Sequence, residues 1–316
     1  MLQKERATKQ EVVQAQNKKY GGLFKFLNSQ KVVPYILISP FILSFLVLSL
    51  YPAIQAIIMS FQRVLPGDIT FIGLRNYTRI FNPTFYTALQ NTTVYMILTV
   101  VILVSIPMLL AVLLNSNVVK FRIFFRTALF LPALTSVIVA GMVFRLMFSE
   151  SDTAVANQIL NWIGFDSVDW RYNAWSGMFL MVVLASWRWM GINILYFLAA
   201  LQNVPNELYE AADIDGASTV QKFFYVTLPF LKPVTIFVAT ISIIGGFRMF
   251  EESFVFWTDG SPGNIGLTIV GYLYQEGIQQ NDMGFGAAIG VVLMVIIFVI
   301  SLTQLYLSGA FKRGDE

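Results

Sequence analysis

The sequence predicts an all-α, polytopic membrane protein with six transmembrane helices, and three observations carry that expectation. Hydrophobic residues fill 56% of the 316 positions and charged residues only 12%, for a mean hydropathy of +0.67, a balance that suits lipid rather than water as the main solvent. Six apolar stretches reach the roughly 20 residues that a helix needs to cross a hydrocarbon core about 30 Å thick. The basic residues fall mostly in alternate loops. The missing residue types are equally informative: with no histidine and no cysteine, there is no imidazole base, thiolate nucleophile, His/Cys zinc site or disulfide framework. The 21 Lys and Arg against 18 Asp and Glu leave +3, too small a surplus to point to nucleic acid as a partner.

Residues 1–31 form a polar, basic leader suited to disorder or to a membrane surface. The first apolar stretch, Val32 to Phe61, contains Pro34, Pro40 and Pro52 and exceeds a straight crossing, so a tilt or an interfacial start is expected. It is also too long for a signal-peptide core, and reads as a retained helix. The others run from Ala88 to Leu114, Thr127 to Phe148, Trp175 to Ala200, Pro233 to Phe256 and Phe285 to Ser308. In the last, Gly286 and Gly290 permit close helix contact without identifying a dimer interface. The intervening stretches "GDITFIGLRNYTRIFNPTF" and "DSVDWRYNAW" mix aromatic, polar and turn-forming residues, as an interfacial belt or a protein-docking surface does. A short tail, 309–316, completes the membrane domain of 32–308. No internal repeat is visible.

Orientation follows from the loops. The leader, Lys120, Arg122, Arg126, Lys222, Lys232, Lys312 and Arg313 place fourteen basic residues on one side, against Arg63, Arg75, Arg79 and Arg171 on the other. By the positive-inside rule both termini are cytoplasmic.

One cytoplasmic segment, residues 201–232, is long for a bundle connection. Asn206 after Pro205 is suited to cap a helix; Glu207 and Glu210 sit early in it, where the macrodipole favours anions; Ala211 and Ala212 are strong helix formers. Gly216 supplies a break, Ser218 or Thr219 a second cap, and Leu228-Pro229 closes a second short helix. Small residues at 211 and 212 let another protein's backbone approach. An amphipathic hairpin lying on the membrane with no partner is the alternative.

Glu210-Ala211-Ala212, followed by Gly216, Val226 and Leu228-Pro229, resembles the EAA loop of permease subunits of bacterial ABC importers, with valine in place of the usual isoleucine. The flanking "VPNELYEAADIDGAS" and "VTLPFLKP", with "GLRNY" and "TDGSPGN", are similar to the sugar-importer branch that includes the maltose permeases. The stretch "GSPGNIGLTIVGYLYQEGIQQNDMGFGAA" looks most like arabino-oligosaccharide permeases. The resemblance runs from about Pro34 to the end of the chain. It implies a type I importer permease in the bacterial inner membrane, whose EAA loop forms a coupling helix on a separate ATPase. Carried over by position, Glu210, Ala211, Ala212 and Gly216 become the ATPase contact, with Asp215 and Ala217 beside it. The implied partners are a second homologous permease, an ABC ATPase dimer, an extracytoplasmic sugar-binding protein and an oligosaccharide. No Gly-Lys dipeptide occurs anywhere, so the chain has no P-loop; it needs no cofactor of its own, and ATP and Mg belong to the ATPase.

Ionisable groups deep in a membrane helix cost roughly 2.5 to 3.5 kcal/mol each on insertion scales and mark ion pairs or watery paths. Trp187, Arg188, Trp189 and Asn193 lie in the fourth stretch, and Phe247, Arg248, Phe250, Glu251 and Glu252 in the fifth. Arg248 has Glu251 at i+3 and Glu252 at i+4, so an internal ion pair is one reading. The other is a sugar path, since indole and phenyl faces stack on pyranose C–H surfaces while Arg, Asn and carboxylate groups bind hydroxyl rims; the maltose-type resemblance implies the same two helices. A rival function is an ion-gradient-driven secondary transporter using Arg248, Glu251 and Glu252, although such folds often carry inverted repeats. A membrane-embedded enzyme is disfavoured by the absent His and Cys.

Overall fold

The computed structural model describes residues 29–116, 118–257 and 260–310; the leader through 28 and the tail from 311 lie outside them. The chain divides into two compact units, residues 1–58 and 59–316. Helix α1 (Val33–Ser60) supplies the described part of the first. It widens into a π turn at Leu46–Leu50, directly before Tyr51-Pro52. A proline lacks the N–H of the regular ladder and its ring collides with the carbonyl four residues back, so a wider turn lets the helix continue.

The second unit opens with a hairpin of β1 (Gln62–Leu65) and β2 (Asp68–Phe71), antiparallel with Gln62 opposite Phe71 and Leu65 opposite Asp68. Gly67 makes the turn at φ +82°. Helix α2 (Arg75–Ile80) follows, and its buried Asn76 side chain donates to the carbonyls of Ser60 at 3.0 Å and Gln62 at 2.8 Å. Helix α3 (Pro83–Asn115) is capped by Asn82, whose Oδ1 accepts from the Phe85 N–H.

The third predicted span needs correcting. Thr127 to Phe148 is not one straight helix: α4 (Arg122–Phe130) extends as a 3₁₀ turn through Leu134, and α5 (Val137–Met147) departs at 96°. Pro132 and the extended Thr135 interrupt the α ladder there. The bend is fixed from outside as well. A Cβ on Gly191 would stand 2.1 Å from the Leu129 carbonyl oxygen, so only glycine admits α4 at this crossing.

Helix α6 (Val155–Trp162) sits between α5 and α7 (Ala174–Leu201) in the chain. The buried Asn157 organises this connection: its Oδ1 accepts from the Val168 N–H and from Trp170 Nε1 at 2.8 Å. After α8 (Asn206–Ile214), helix α9 runs unbroken from Thr219 to Phe247. This corrects the reading in which Leu228-Pro229 closed a separate short helix and the fifth span began at Pro233. A π turn at Phe223–Thr227 absorbs Pro229, and the rod continues. It also ends sooner than Phe256: residues 248–250 break from the helix, and α10 (Glu251–Phe256) is a separate piece. Helix α11 (Ile269–Tyr274) passes into a π turn at Gln275–Gln279, and α12 (Met283–Leu307) is the last span. Counting the bent α4–α5 pair as one, six spans among the described residues are long and apolar enough to cross a membrane, in accord with the all-α, six-helix expectation; the small hairpin is the addition.

Three apolar clusters form the core. One gathers Phe85, Phe247, Ile269, Phe285 and Ile289; a second Tyr95, Met181, Phe256 and Trp257; the third Ala111, Phe197, Leu231 and Val238. Gly286 packs on Gly277, with 2.7 Å from a built Cβ to its Cα, so the paired glycines of α12 serve contact within this chain.

Candidate functional site: a braced elbow and a charged cavity

Two features stand apart from plain helix packing, and α7 and α9 connect them. The first is the elbow between those helices. Pro205, not Asn206, occupies the N-cap of α8, and no side chain caps it; Asn206 is the first helical residue. Proline before a helix start fits there because its missing N–H would have no intrahelical partner. At the other end Gly216 takes φ +72°, and the Ala217 N–H reaches back to the Ala212 carbonyl at 2.9 Å, a Schellman-type closure that glycine permits at little cost. Ser218 then caps α9 in a capping box with Gln221. Two side-chain bonds brace the corner: Lys222 pairs with Asp213, and the Tyr209 hydroxyl meets Thr227 Oγ1 at 2.9 Å.

The expected contact residues lie together on this corner. Glu210, Ala211, Asp215 and Gly216 are exposed, and Ala212 and Ala217 half-buried. One residue that sequence reasoning missed joins them: Ile214, at 88% exposure. A large aliphatic side chain is thus held open at the tip of a rigid turn. The signal available was an isoleucine between two aspartates at the end of a short helix.

The second feature is a cavity of about 500 Å³, within the range of small-molecule sites. Seven of the nine expected residues line it: Arg188, Trp189, Asn193, Arg248, Phe250, Glu251 and Glu252. Two do not. Phe247 is fully buried in the first core cluster, because the helical register that turns Arg248 outward turns its neighbour inward. Trp187 instead meets Phe144 of α5, ring centroids 5.9 Å apart.

The ion pairing also differs from the expectation. Neither Glu251 nor Glu252 pairs with Arg248 along the helix, because α9 ends at residue 247 and the i,i+4 geometry is lost. Instead Arg188 Nη1 donates across to Glu252 Oε1 at 3.1 Å, with side-chain exposures of 13% and 8%. The guanidinium carbon also stands 5.4 Å from the Trp189 ring, while Arg188 Nε is buried without an acceptor. Among the described residues Arg248 has no ion-pair partner; it is exposed and faces the cavity. Asn193 lines the wall while its amide donates to the Leu103 carbonyl at 3.0 Å, holding α7 to α3.

Sequence reading also missed the contribution of α3, which supplies Tyr95, Thr99 and Leu103 to the wall. The signal available was faint: Thr92, Tyr95 and Thr99 recur at i, i+3 and i+7 on one face of an otherwise largely apolar helix.

The segment after α9 is pinned rather than loose. Thr268 Oγ1 donates to the Met249 carbonyl at 2.9 Å, Ser253 Oγ to the Gly266 carbonyl at 2.5 Å, and Asn91 Nδ2 to the Asn264 and Leu267 carbonyls. Thr92 Oγ1 accepts the Ile269 N–H at 3.0 Å while donating to Ala88. Trp257 Nε1 donates to the Arg171 carbonyl, and Arg171 in turn holds Glu150 through two bonds of 2.6 and 2.7 Å. Burial pushes the Glu150 carboxyl up, but the Arg171 hydrogen bonds, its own backbone N–H and the Arg171 and Arg145 charges outweigh that and hold it below the usual range. Burial raises Glu276 in the π turn, with Arg79 opposing and Asp282 adding to the rise. Among the described residues no cluster of carboxylates is arranged to hold a metal ion.

Known proteins place this architecture. The family profile described as "Binding-protein-dependent transport system inner membrane component" matches residues 121–313, which include the elbow, α7 and α9. The arabinooligosaccharides transport system permease protein AraP of Halalkalibacterium halodurans is 85% identical over all 316 residues of both chains. Its Bacillus subtilis counterpart is 63% identical over 294 residues, 93% of this chain and 94% of that one. A lactose transport system permease protein of Rhizobium radiobacter is 32% identical over 86% of this chain and 92% of its own length. Among solved structures, a bacterial ABC transporter involved in the import of the acidic polysaccharide alginate superposes with a TM-score of 0.81 and 25% identity, covering 93% of this chain and all of that one. With the profile, the relatives and the six-span architecture in agreement, the chain belongs to the binding-protein-dependent transport system inner membrane components, as an ABC importer permease of the carbohydrate uptake branch.

Proposed function

We propose that this permease forms the membrane path for a neutral, arabinose-type oligosaccharide, and that the 201–232 elbow takes mechanical work from a separate ABC ATPase dimer. One observation carries the coupling: α9 is a single rod that begins inside the braced corner at Thr219 and ends at Phe247, beside the cavity. Its 29 residues span about 44 Å at 1.5 Å per residue. Displacement of Glu210, Ala211, Ala212, Asp215, Gly216 and Ala217 by a partner therefore moves the cavity wall at Ile241, Ser242, Gly245 and Gly246, on the far end of the same rod, as one body. A flexible loop would dissipate the same motion. The permease makes no covalent change; ATP and Mg sit on the ATPase.

The cavity chemistry favours an uncharged sugar. Arg188 and Arg248 against Glu251 and Glu252 leave no net charge in the wall, while Trp189 and Phe250 offer aromatic faces and the exposed Arg248 guanidinium offers donors for hydroxyls. The names of the two arabinooligosaccharide permeases point to the sugar class. A second homologous permease completes the path, and an extracytoplasmic binding protein delivers the sugar to the face opposite the elbow. The leader 1–31 and the tail 309–316 lie in the cytoplasm on either side of the membrane domain 32–308, by the distribution of basic residues.

Reconstitution tests the proposal. With the ATPase, second permease and binding protein in vesicles, uptake of linear arabino-oligosaccharides is expected to require ATP. Glu210→Lys and Gly216→Pro are expected to insert normally yet abolish stimulation of the ATPase by the binding protein. Uptake by this chain alone on a proton or sodium gradient would instead establish a secondary transporter.

A further inference from the structure

A second cavity, of about 290 Å³, adjoins the first. Phe250 lines both. Beyond it the wall comprises Ser253, Phe254, Trp257, Tyr274, Gln275 and Gln279 among others, with no charged side chain among the described residues. Phe250, Phe254 and Tyr274 form a closed ring cluster, their centroids 5.1, 5.2 and 5.4 Å apart. The π turn at Gln275–Gln279 puts two carboxamides on the same rim. Neither makes a side-chain hydrogen bond among the described residues, so both keep free donors and acceptors.

We propose that this second cavity is a subsite for an additional sugar unit of the same oligosaccharide, with Phe250 packed at the junction between units. The inference rests on the sugar-path reading of the first cavity and extends it to chain length. Its chemistry is that of carbohydrate binding: apolar ring faces for C–H surfaces, and uncharged amides that donate and accept at once for vicinal hydroxyls. The position agrees. The cavity lies past the end of α9, at the end of the bundle opposite the elbow, where an incoming oligomer arrives first. The backbone there is held by the Thr268–Met249 and Ser253–Gly266 bonds, so the rings are set before the ligand binds. The first cavity, at about 500 Å³, has room for a disaccharide; a longer oligomer reaches the second as well and gains contacts that a disaccharide does not.

The test is a length series of linear arabino-oligosaccharides, two to four units, taken up by the full complex in vesicles. In the double variant Gln275→Ala/Gln279→Ala, and separately in Tyr274→Leu, the ratio of tetrasaccharide to disaccharide uptake is expected to fall about tenfold, the loss of one to two hydrogen bonds or a ring contact. An unchanged ratio in both variants, with the wild type active, overturns the subsite and leaves the sugar path intact. A wild-type complex that moves none of the series overturns the sugar path, and the subsite with it.

Discussion

The Arg188–Glu252 pair separates a structural role from a transport role if it is removed in steps. Glu252 has a side chain only 8% exposed, and its charge is answered by one guanidinium nitrogen at 3.1 Å. Arg188→Met keeps the length and apolar stem but strands the carboxylate, and breaking a buried pair from one side costs about 3–5 kcal/mol. The open cavity gives the carboxylate some water, so the low end, about 3 kcal/mol, is expected. Glu252→Gln strands the guanidinium, which still has the Trp189 face, for about 2 kcal/mol. The double variant removes both charges of the pair and should lie within about 1 kcal/mol of the wild type, a coupling of about 4 kcal/mol. Unfolding by SDS titration in mixed micelles measures each stability. Uptake in vesicles is the second readout. If the pair also meets sugar at the cavity wall that both residues line, the double variant regains stability while uptake stays low. Additive losses would refute the pairing argument, and full recovery of uptake would return Arg188 to a purely structural role.

Three further perturbations probe other elements. Gly191→Val is expected to prevent assembly of the α4–α7 crossing, because its Cβ meets the Leu129 carbonyl at 2.1 Å and both atoms are backbone-fixed; overpacking of this kind costs about 3 kcal/mol or more, and detergent-extracted yield and SDS titration read the loss. Ile214→Asp should leave stability unchanged, given its 88% exposure, yet lower ATPase stimulation by the binding protein; a stimulated ATPase at wild-type level would remove Ile214 from the contact. The Glu150–Arg171 pair holds the carboxylate's pKa down, so its contribution is present above the unfolded glutamate value, about 4.3, and is lost as the pH falls through the lower folded value. At side-chain exposures of 25% and 16% the pair is worth about 1–2 kcal/mol; Arg171→Met should remove that amount at pH 7 and flatten the acid dependence measured by thermal unfolding between pH 6 and 3.

Much of the architecture was legible because it follows from composition and reach. Lipid excludes unsatisfied backbone, so long apolar stretches are helices and their number is countable. The elbow was legible for a different reason: Gly216, Ser218 and the early acidic residues of α8 have local roles in capping and turning, and local roles leave local signatures. What failed was continuity. Pro229 read as a stop, yet the π turn before it carries α9 through; Arg248 read as a partner of its own helix, yet the helix ends one residue earlier. Neither outcome is encoded in the nearest few residues.

The sequence by itself therefore determined the solvent, the six apolar spans, the alternation of basic residues between loops and the grammar of the 201–232 corner, all properties that a short stretch of chain expresses alone. Only the tertiary structure decided that Glu252 belongs to Arg188, that α3 lends Tyr95 and Thr99 to the cavity, that Phe247 faces the core and that Phe250 divides two chambers. Those are questions of which side of a mostly apolar helix faces inward, and hydropathy carries little answer where nearly every side is apolar; close crossings such as Gly191 against Leu129 set the rotation of each rod, and with it the wall of the cavity.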